Sequence, residues 1–202
     1  MGDQTLAVHE VALGEVAERA LSGPMESADR ERLRAAIVQH FHAVWCFLRR
    51  LGLSPADADD AVQDVMIVVA SKLALIEAGR ERSFMFSTAY RIARRVRQAA
   101  ARPTVADHEV LLNQVDPAPG PEVLADKRKA RALLDLVLDG LPMDLRAVFV
   151  LAEIDELKGA EIAALLGLPG GTVASRLRRA RERFDATLAR LLARERVSGG
   201  AR

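Results

Sequence analysis

Asp57, Asp60 and Asp64 stand three and four residues apart, the spacing that gathers side chains on one face of a helix. A face of carboxylates attracts a basic protein surface and repels DNA. Gln63, beside Asp60, adds an uncharged hydrogen-bonding group. The opposite chemistry gathers at Arg80, Arg82, Arg91, Arg94 and Arg95, with Phe84, Phe86 and Tyr90 interleaved. Arginines with aromatic platforms hold the unstacked bases of a single strand. A third cluster, Thr172, Ser175, Arg176, Arg178 and Arg179, offers hydroxyls and guanidinium forks suited to phosphates and guanine edges. His40, His42 and Cys46 lie close together, but one cysteine without a second cluster reads as a packed helix and not as a metal site. No nucleophile–base pair, phosphate loop or carboxylate dyad stands in a recognisable context. The expected chemistry is therefore binding, without an enzyme's reaction and without metal or cofactor.

The elements that must carry these groups read as helices. Of 202 residues, 50% are hydrophobic, 28% charged and only 4% aromatic, a core-forming composition poor in strong strand formers. Leu33, Ile37, Phe41, Val44, Leu48 and Leu51 form one apolar stripe, which predicts a helix over 32–51. Ser54, Pro55 and Asp57 spell the start of another, running to about Ile76, and a third is expected over 83–101. Asp116–Pro121 then puts three prolines and a glycine into six residues, which predicts a linker between two helical domains. Beyond it, Leu133–Leu141 and Leu145–Ala152 continue helical stripes. Lys158–Gly167 and Gly171–Phe184 read as a helix-turn-helix, with Gly167 free to take the left-handed turn. Ile162 and Leu166 are expected to pack on Val173 and Leu177, leaving Thr172, Ser175, Arg176 and Arg179 on the outer face with Arg178 beside them. Charge is segregated: residues 1–31 hold seven acids against Arg19 and Arg30, whereas 80–102 hold seven arginines against Glu81, and 171–202 hold nine arginines against three acids. Two separate arginine blocks point to two contacts with a polyanion. No apolar run approaches the ~18 residues of a membrane span. No basic run precedes an apolar core at the N-terminus, so no secretory signal is expected and a reduced, cytoplasmic setting is.

Over its last third, the sequence with "GLP" at 140–142, "LRAVFVL" at 145–151, "GAEIAALLG" at 159–167 and "GTVASRLRRARERF" at 171–184 resembles the promoter-reading C-terminal domain of extracytoplasmic-function sigma factors of bacterial RNA polymerase. "SPADADDAVQDVMIVVA" at 54–70 resembles the family's polymerase-docking segment, and "RERSFMFSTAYRIARRVR" at 80–97 its downstream promoter-reading segment. The resemblance implies an all-α fold of two small helical domains joined by a flexible linker. The divisions are an N-terminal extension 1–30, a polymerase-binding domain 31–102, a linker 103–124, a helix-turn-helix domain 125–195 and a disordered tail 196–202. It implies that Asp57, Asp60, Gln63 and Asp64 bind the clamp helices of core RNA polymerase. Arg80, Arg82, Ser83, Phe84, Tyr90, Arg91, Arg94 and Arg95 are implied to hold the melted −10 strand, with the loop Leu75–Arg82 receiving a flipped base. Thr172, Ser175, Arg176, Arg178 and Arg179 are implied to contact the duplex −35 element. An anti-sigma factor is a further partner in view. Two departures stand out: Ala174 replaces a usual basic residue, and the downstream segment lacks the usual Trp and carries Arg95 for Asn. The competing reading is a conventional helix-turn-helix regulator acting without polymerase.

Overall fold

The computed structural model describes residues 26–100 and 121–199, with side chains placed over 26–100 and 129–194. The chain divides into two compact units between Leu111 and Leu112. Among the described residues both units are built from helices and turns.

The first unit holds α1 (Ser27–Arg50), α2 (Pro55–Lys72) with a short 3-10 turn at Leu73–Leu75, and α3 (Glu81–Ala100). Helix α1 starts at Ser27, five residues before the expected 32, because its first turn is polar and carries no apolar stripe to betray it. Helix α2 starts as its sequence spells out. The Ser54 hydroxyl accepts from the Asp57 amide at 3.1 Å and donates to the Asp57 carboxylate at 2.7 Å, with Pro55 in the first turn. Leu33, Ile37 and Leu48 of α1 meet Val62, Val65 and Val69 of α2 and Met85, Phe86 and Ala89 of α3 in one buried core. Phe47 and Phe86 contact at 5.1 Å between centroids. Each of the larger buried side chains contributes about 1.5–3 kcal/mol. Arginines tie the ends: Arg32 of α1 donates to Glu81 at 2.6 Å and to the Ile76 carbonyl, and Arg97 of α3 donates to the Leu51 carbonyl at 2.8 Å. Helices α1 and α3 therefore run side by side in the same direction.

The second unit holds α4 (Pro121–Asp139), α5 (Met143–Phe149) continuing as a π-helical turn at Val150–Ile154, α6 (Gly159–Leu166) and α7 (Gly170–Gly199). Two expected boundaries move. Helix α4 begins at Pro121, inside the expected linker, because proline at a first helical position loses no hydrogen bond; the rest of that linker lies outside the described residues. Helix α7 runs on to Gly199 through the first four residues of the expected disordered tail, carried on from the strong helix formers Leu192–Arg196 that lead into it. Val137, Leu138, Leu145, Val148 and Leu151 form the core with Ile162, Val173 and Ala180. Phe149 and Phe184 stack at 4.6 Å. Arg146 is buried within this core and donates to Asp139 at 2.8 Å.

Candidate protein and nucleic-acid interfaces

The core-facing side of α2 is Ala58, Ala61, Val62, Val65, Met66 and Val69, so the remaining positions face outward by helical geometry. Asp57, Asp60 and Asp64 are exposed and Gln63 is half-buried. They are not equivalent. The Asp57 carboxylate is engaged by Ser54. Asp64 lies 3.6 Å from Arg95 of α3, so an acid of one expected site and an arginine of another meet on one surface. The neighbouring Asp59 accepts from the Trp45 indole at 2.7 Å. Ile67, 41% exposed, extends the face as an apolar member that charge counting passed over. Its place three after Asp64 and four after Gln63 was the available signal.

The chain then passes through Leu75, 84% exposed, and Gly79 in the left-handed region at φ 83°, into α3. Arg80 pairs with Glu77 at 3.7 Å. Arg82 lies over the Phe86 ring, 5.2 Å from its centroid; that ring is fully buried and is a core anchor, not a base platform. Phe84 and Tyr90 are half-buried, while Ser83, Arg91, Arg94 and Arg95 are exposed. Arg91 leans on the Ser87 carbonyl at 3.2 Å and on its hydroxyl at the same distance. Leu75 opens the loop expected to receive a flipped base; its exposure as an apolar tip is what the sequence did not single out, since one leucine in a turn carries no periodicity. At the start of α3, burial pushes Glu81 up, but its own and the Gly79 backbone amides together with Arg32 outweigh that and hold its carboxyl below the usual value. His40, facing the same corner, is lowered by burial and by the Arg82 charge, with Glu81 opposing.

In the second unit, Gly167 takes φ 65° and ends α6, and Leu168–Pro169 lead into α7. The Glu161 carboxylate accepts from the Lys158 amide at 2.8 Å, capping α6. Val173 and Ala180 are the buried anchors of α7, with Leu177 and Phe184 half-buried beside them. On α6 the buried partners are Ile162 and Leu165, and Leu166 is only half-buried. Arg178 and Arg179 are exposed, and Thr172 and Ser175 are partly open. Arg178 pairs with Glu182 at 2.6 Å, and Arg179 rests against the Ser175 carbonyl at 3.3 Å. Arg176 departs from the expected outer face. It follows Val173 by three residues and precedes Ala180 by four, so it flanks the buried side, is 21% exposed, and reaches Asp144 of α5 at 3.5 Å. Arg181, unassigned from sequence, binds Glu153 through two nitrogens at 2.6 and 2.8 Å.

Cys46 Sγ lies 3.4 Å from His42 Nε2, while His40 faces Arg82 and Glu81, so the three do not converge. Among the described residues no group of three or more His, Cys, Asp or Glu could hold a metal ion, and no helix is long and apolar enough to cross a membrane.

Comparison with known proteins bears on the family and the fold. The family model "Sigma-70, region 4" matches residues 131–184, from the second half of α4 through the helix-turn-helix. The ECF RNA polymerase sigma-E factor of Escherichia coli (strain K12) is 27% identical over 183 residues, covering 85% of this chain and 94% of that protein. The fold resembles that of CnrH solved with the cytosolic domain of CnrY, at TM-score 0.60 and 24% identity over 88% of this chain and 97% of that one. It also resembles the sigma factor RpoE of Bartonella quintana, solved with the anti-sigma factor NepR, at TM-score 0.59 and 22% identity over 76% and 94%. The RNA polymerase sigma factor CnrH of Cupriavidus metallidurans is 30% identical over 183 residues, 86% of this chain and 95% of its own, and with that the chain belongs to the ECF sigma factors, which serve RNA polymerase in transcription initiation.

Proposed function

We propose that the three surfaces divide the work of a sigma factor. The face of Asp57, Asp60, Gln63 and Asp64, extended by Ile67, docks on the clamp helices of core RNA polymerase. Its acids complement a basic partner, and its exposed isoleucine gives that contact an apolar centre. The loop through Leu75 and Gly79 with Arg80, Arg82 and Ser83, and the surface of Phe84, Tyr90, Arg91, Arg94 and Arg95, hold the melted −10 strand by stacking and charge. The outer face of α7 reads the duplex −35 element. Thr172, Ser175, Arg178 and Arg179 are its direct contacts, and Arg176 orients the helix through Asp144. The protein carries out no reaction of its own and acts in the cytoplasm. A protein inhibitor of the anti-sigma class is a further partner, by extension from RpoE, which was solved with NepR.

The observation that carries this reading is α7, whose buried Val173 and Ala180 press one side into the unit and leave Arg178 and Arg179 open on the other. That is the geometry of a recognition helix entering a major groove. Run-off transcription with purified core polymerase on genomic fragments tests it. Specific transcripts that depend on this chain are expected. DNA binding without polymerase-dependent transcripts would instead fit a conventional helix-turn-helix regulator.

A further inference from the structure

The loop ahead of α3 is an arch with both feet tied down. Ile76 at one foot is buried. Glu81 at the other opens α3, with its side chain 12% exposed. Between them Glu77, Ala78, Gly79 and Arg80 are all exposed. The arch closes on itself where the Arg80 amide donates to the Glu77 carbonyl at 3.0 Å, and it turns at the left-handed Gly79. A Cβ on Gly79 would meet nothing within 4 Å, so the space beside that backbone is open to an incoming group.

One side chain from another element holds both feet. Arg32 of α1 donates from Nε to the Glu81 carboxylate at 2.6 Å and from Nη2 to the Ile76 carbonyl at 2.5 Å. A planar guanidinium fixes its two acceptors relative to each other. The hold passes further, because the Glu81 carboxylate also accepts from its own amide and from that of Gly79. The crest of the arch is thereby linked to α1. Arg32 lies outside the core, which α1 enters through Leu33 and Ile37. Its second effect is electrostatic. Glu81 is the single acid among residues 80–102, in a segment whose arginines are assigned above to a polyanion. Its carboxylate would repel the strand, and the Arg32 charge beside it offsets that repulsion.

We propose that Arg32 is a positioning residue for single-strand recognition: it ties the arch of residues 76–81 to α1 at both ends, so that the loop meets a flipped base already shaped. This rests on the reading of that loop as the receiver of the base. A tethered arch loses little freedom on binding, whereas a loose one must be ordered by the base itself, which weakens the contact. The loss falls on recognition of the base and spares the phosphate contacts of the α3 arginines.

The test uses holoenzyme assembled from the full chain, on a promoter found by run-off transcription. Single-stranded oligonucleotides spanning its −10 element are bound intact, or with one base removed at each position in turn. In the parent, one position is expected to stand out as the costliest to strip. The ratio of intact to abasic affinity at that position is the readout. Both affinities come from one preparation, so a change in the folded fraction cancels. Arg32→Ala is expected to lower the ratio severalfold. Arg32→Lys keeps the charge without the fork; it should lower the ratio as well, with affinity for the abasic strand near that of the parent, and it carries the test if the alanine variant fails to assemble. Replacing residues 77–80 by a Gly-Ser-Gly-Ser run tests the loop itself and should also lower the ratio. A ratio kept by the Arg32 variants and lost in the loop variant would overturn the role of Arg32 and leave the loop assignment standing. A ratio kept by the loop variant would overturn that assignment, and the role of Arg32 with it.

Discussion

Arg176 and Arg179 are three residues apart on α7 and have different surroundings. Arg179 is exposed and rests on a carbonyl of its own helix, and Arg176 is largely covered and held by Asp144. Arg179→Ala is therefore expected to lose about 1–3 kcal/mol of discrimination between a matched and a scrambled −35 template, with the thermal transition of the unit unmoved. Arg176→Ala is expected to lower that transition while keeping the ratio between the two templates. Transcription from paired templates and thermal unfolding followed by circular dichroism separate the cases; the reverse pattern would reassign both residues. At the other corner, Glu81 and His40 make stability depend on pH in the same sense. Glu81 has its carboxyl held low in the folded state, so the unfolded chain takes up that proton first, and the stabilisation present at neutral pH is lost as pH falls through the folded value. His40 is also held low, below its usual 6.5, so stability begins to fall as pH drops below 6.5. Denaturant titrations across this range should show both declines in the parent protein. His40→Gln should remove the upper one, and Glu81→Gln the lower.

Helix α2 is where charge becomes a surface. Asp60→Arg combined with Asp64→Arg is expected to abolish holoenzyme assembly, because reversing charges at a complementary interface costs several kcal/mol. Helical circular dichroism should persist, since neither residue belongs to the core. Native gel shift with core polymerase measures the loss, and normal assembly would rule out this docking face. The helix-turn-helix is tested by Gly167→Ala. A side chain at φ 65° carries a left-handed strain of about 1–2 kcal/mol, so the second unit should melt earlier. Much of this was readable beforehand for a local reason. The Ser54–Asp57 cap, the left-handed Gly167 and the apolar stripes each depend on residues within a few positions of one another. Arg176 was readable too, because its spacing from Val173 and Ala180 puts it beside the core; grouping residues by type hid that. The rest depends on distant partners. Arg32 and Glu81 are 49 positions apart, Arg181 and Glu153 are 28 apart, and no periodicity encodes such pairings. The π turn at Val150–Ile154 keeps the helical apolar pattern and so leaves no separate mark in the sequence.

At the scale of the molecule, each unit has its own buried core, as the division between Leu111 and Leu112 requires. Residues 1–111 and 112–202 produced separately are expected to stay helical and unfold cooperatively. Only the first should bind core polymerase, and only the second should protect a −35 duplex from nuclease. If either half unfolds on separation, the chain is one cooperative unit and the boundary is wrong. With arginines on both units, promoter affinity should fall steeply and linearly on a logarithmic salt scale. One contact described above makes such experiments simpler than they look. The protein has a single tryptophan, Trp45, which is buried with its indole bonded to Asp59 at the start of α2 and Arg49 lying 5.9 Å over its ring. Its fluorescence is thus an optical signal that belongs to the first unit alone. Emission tracks the melting of α1 against α2 while circular dichroism sums both units, so the gap between the two curves isolates the second. Because the indole bonds Asp59 of α2, a shift in emission colour also registers any change in the surroundings of that helix, with no dye attached.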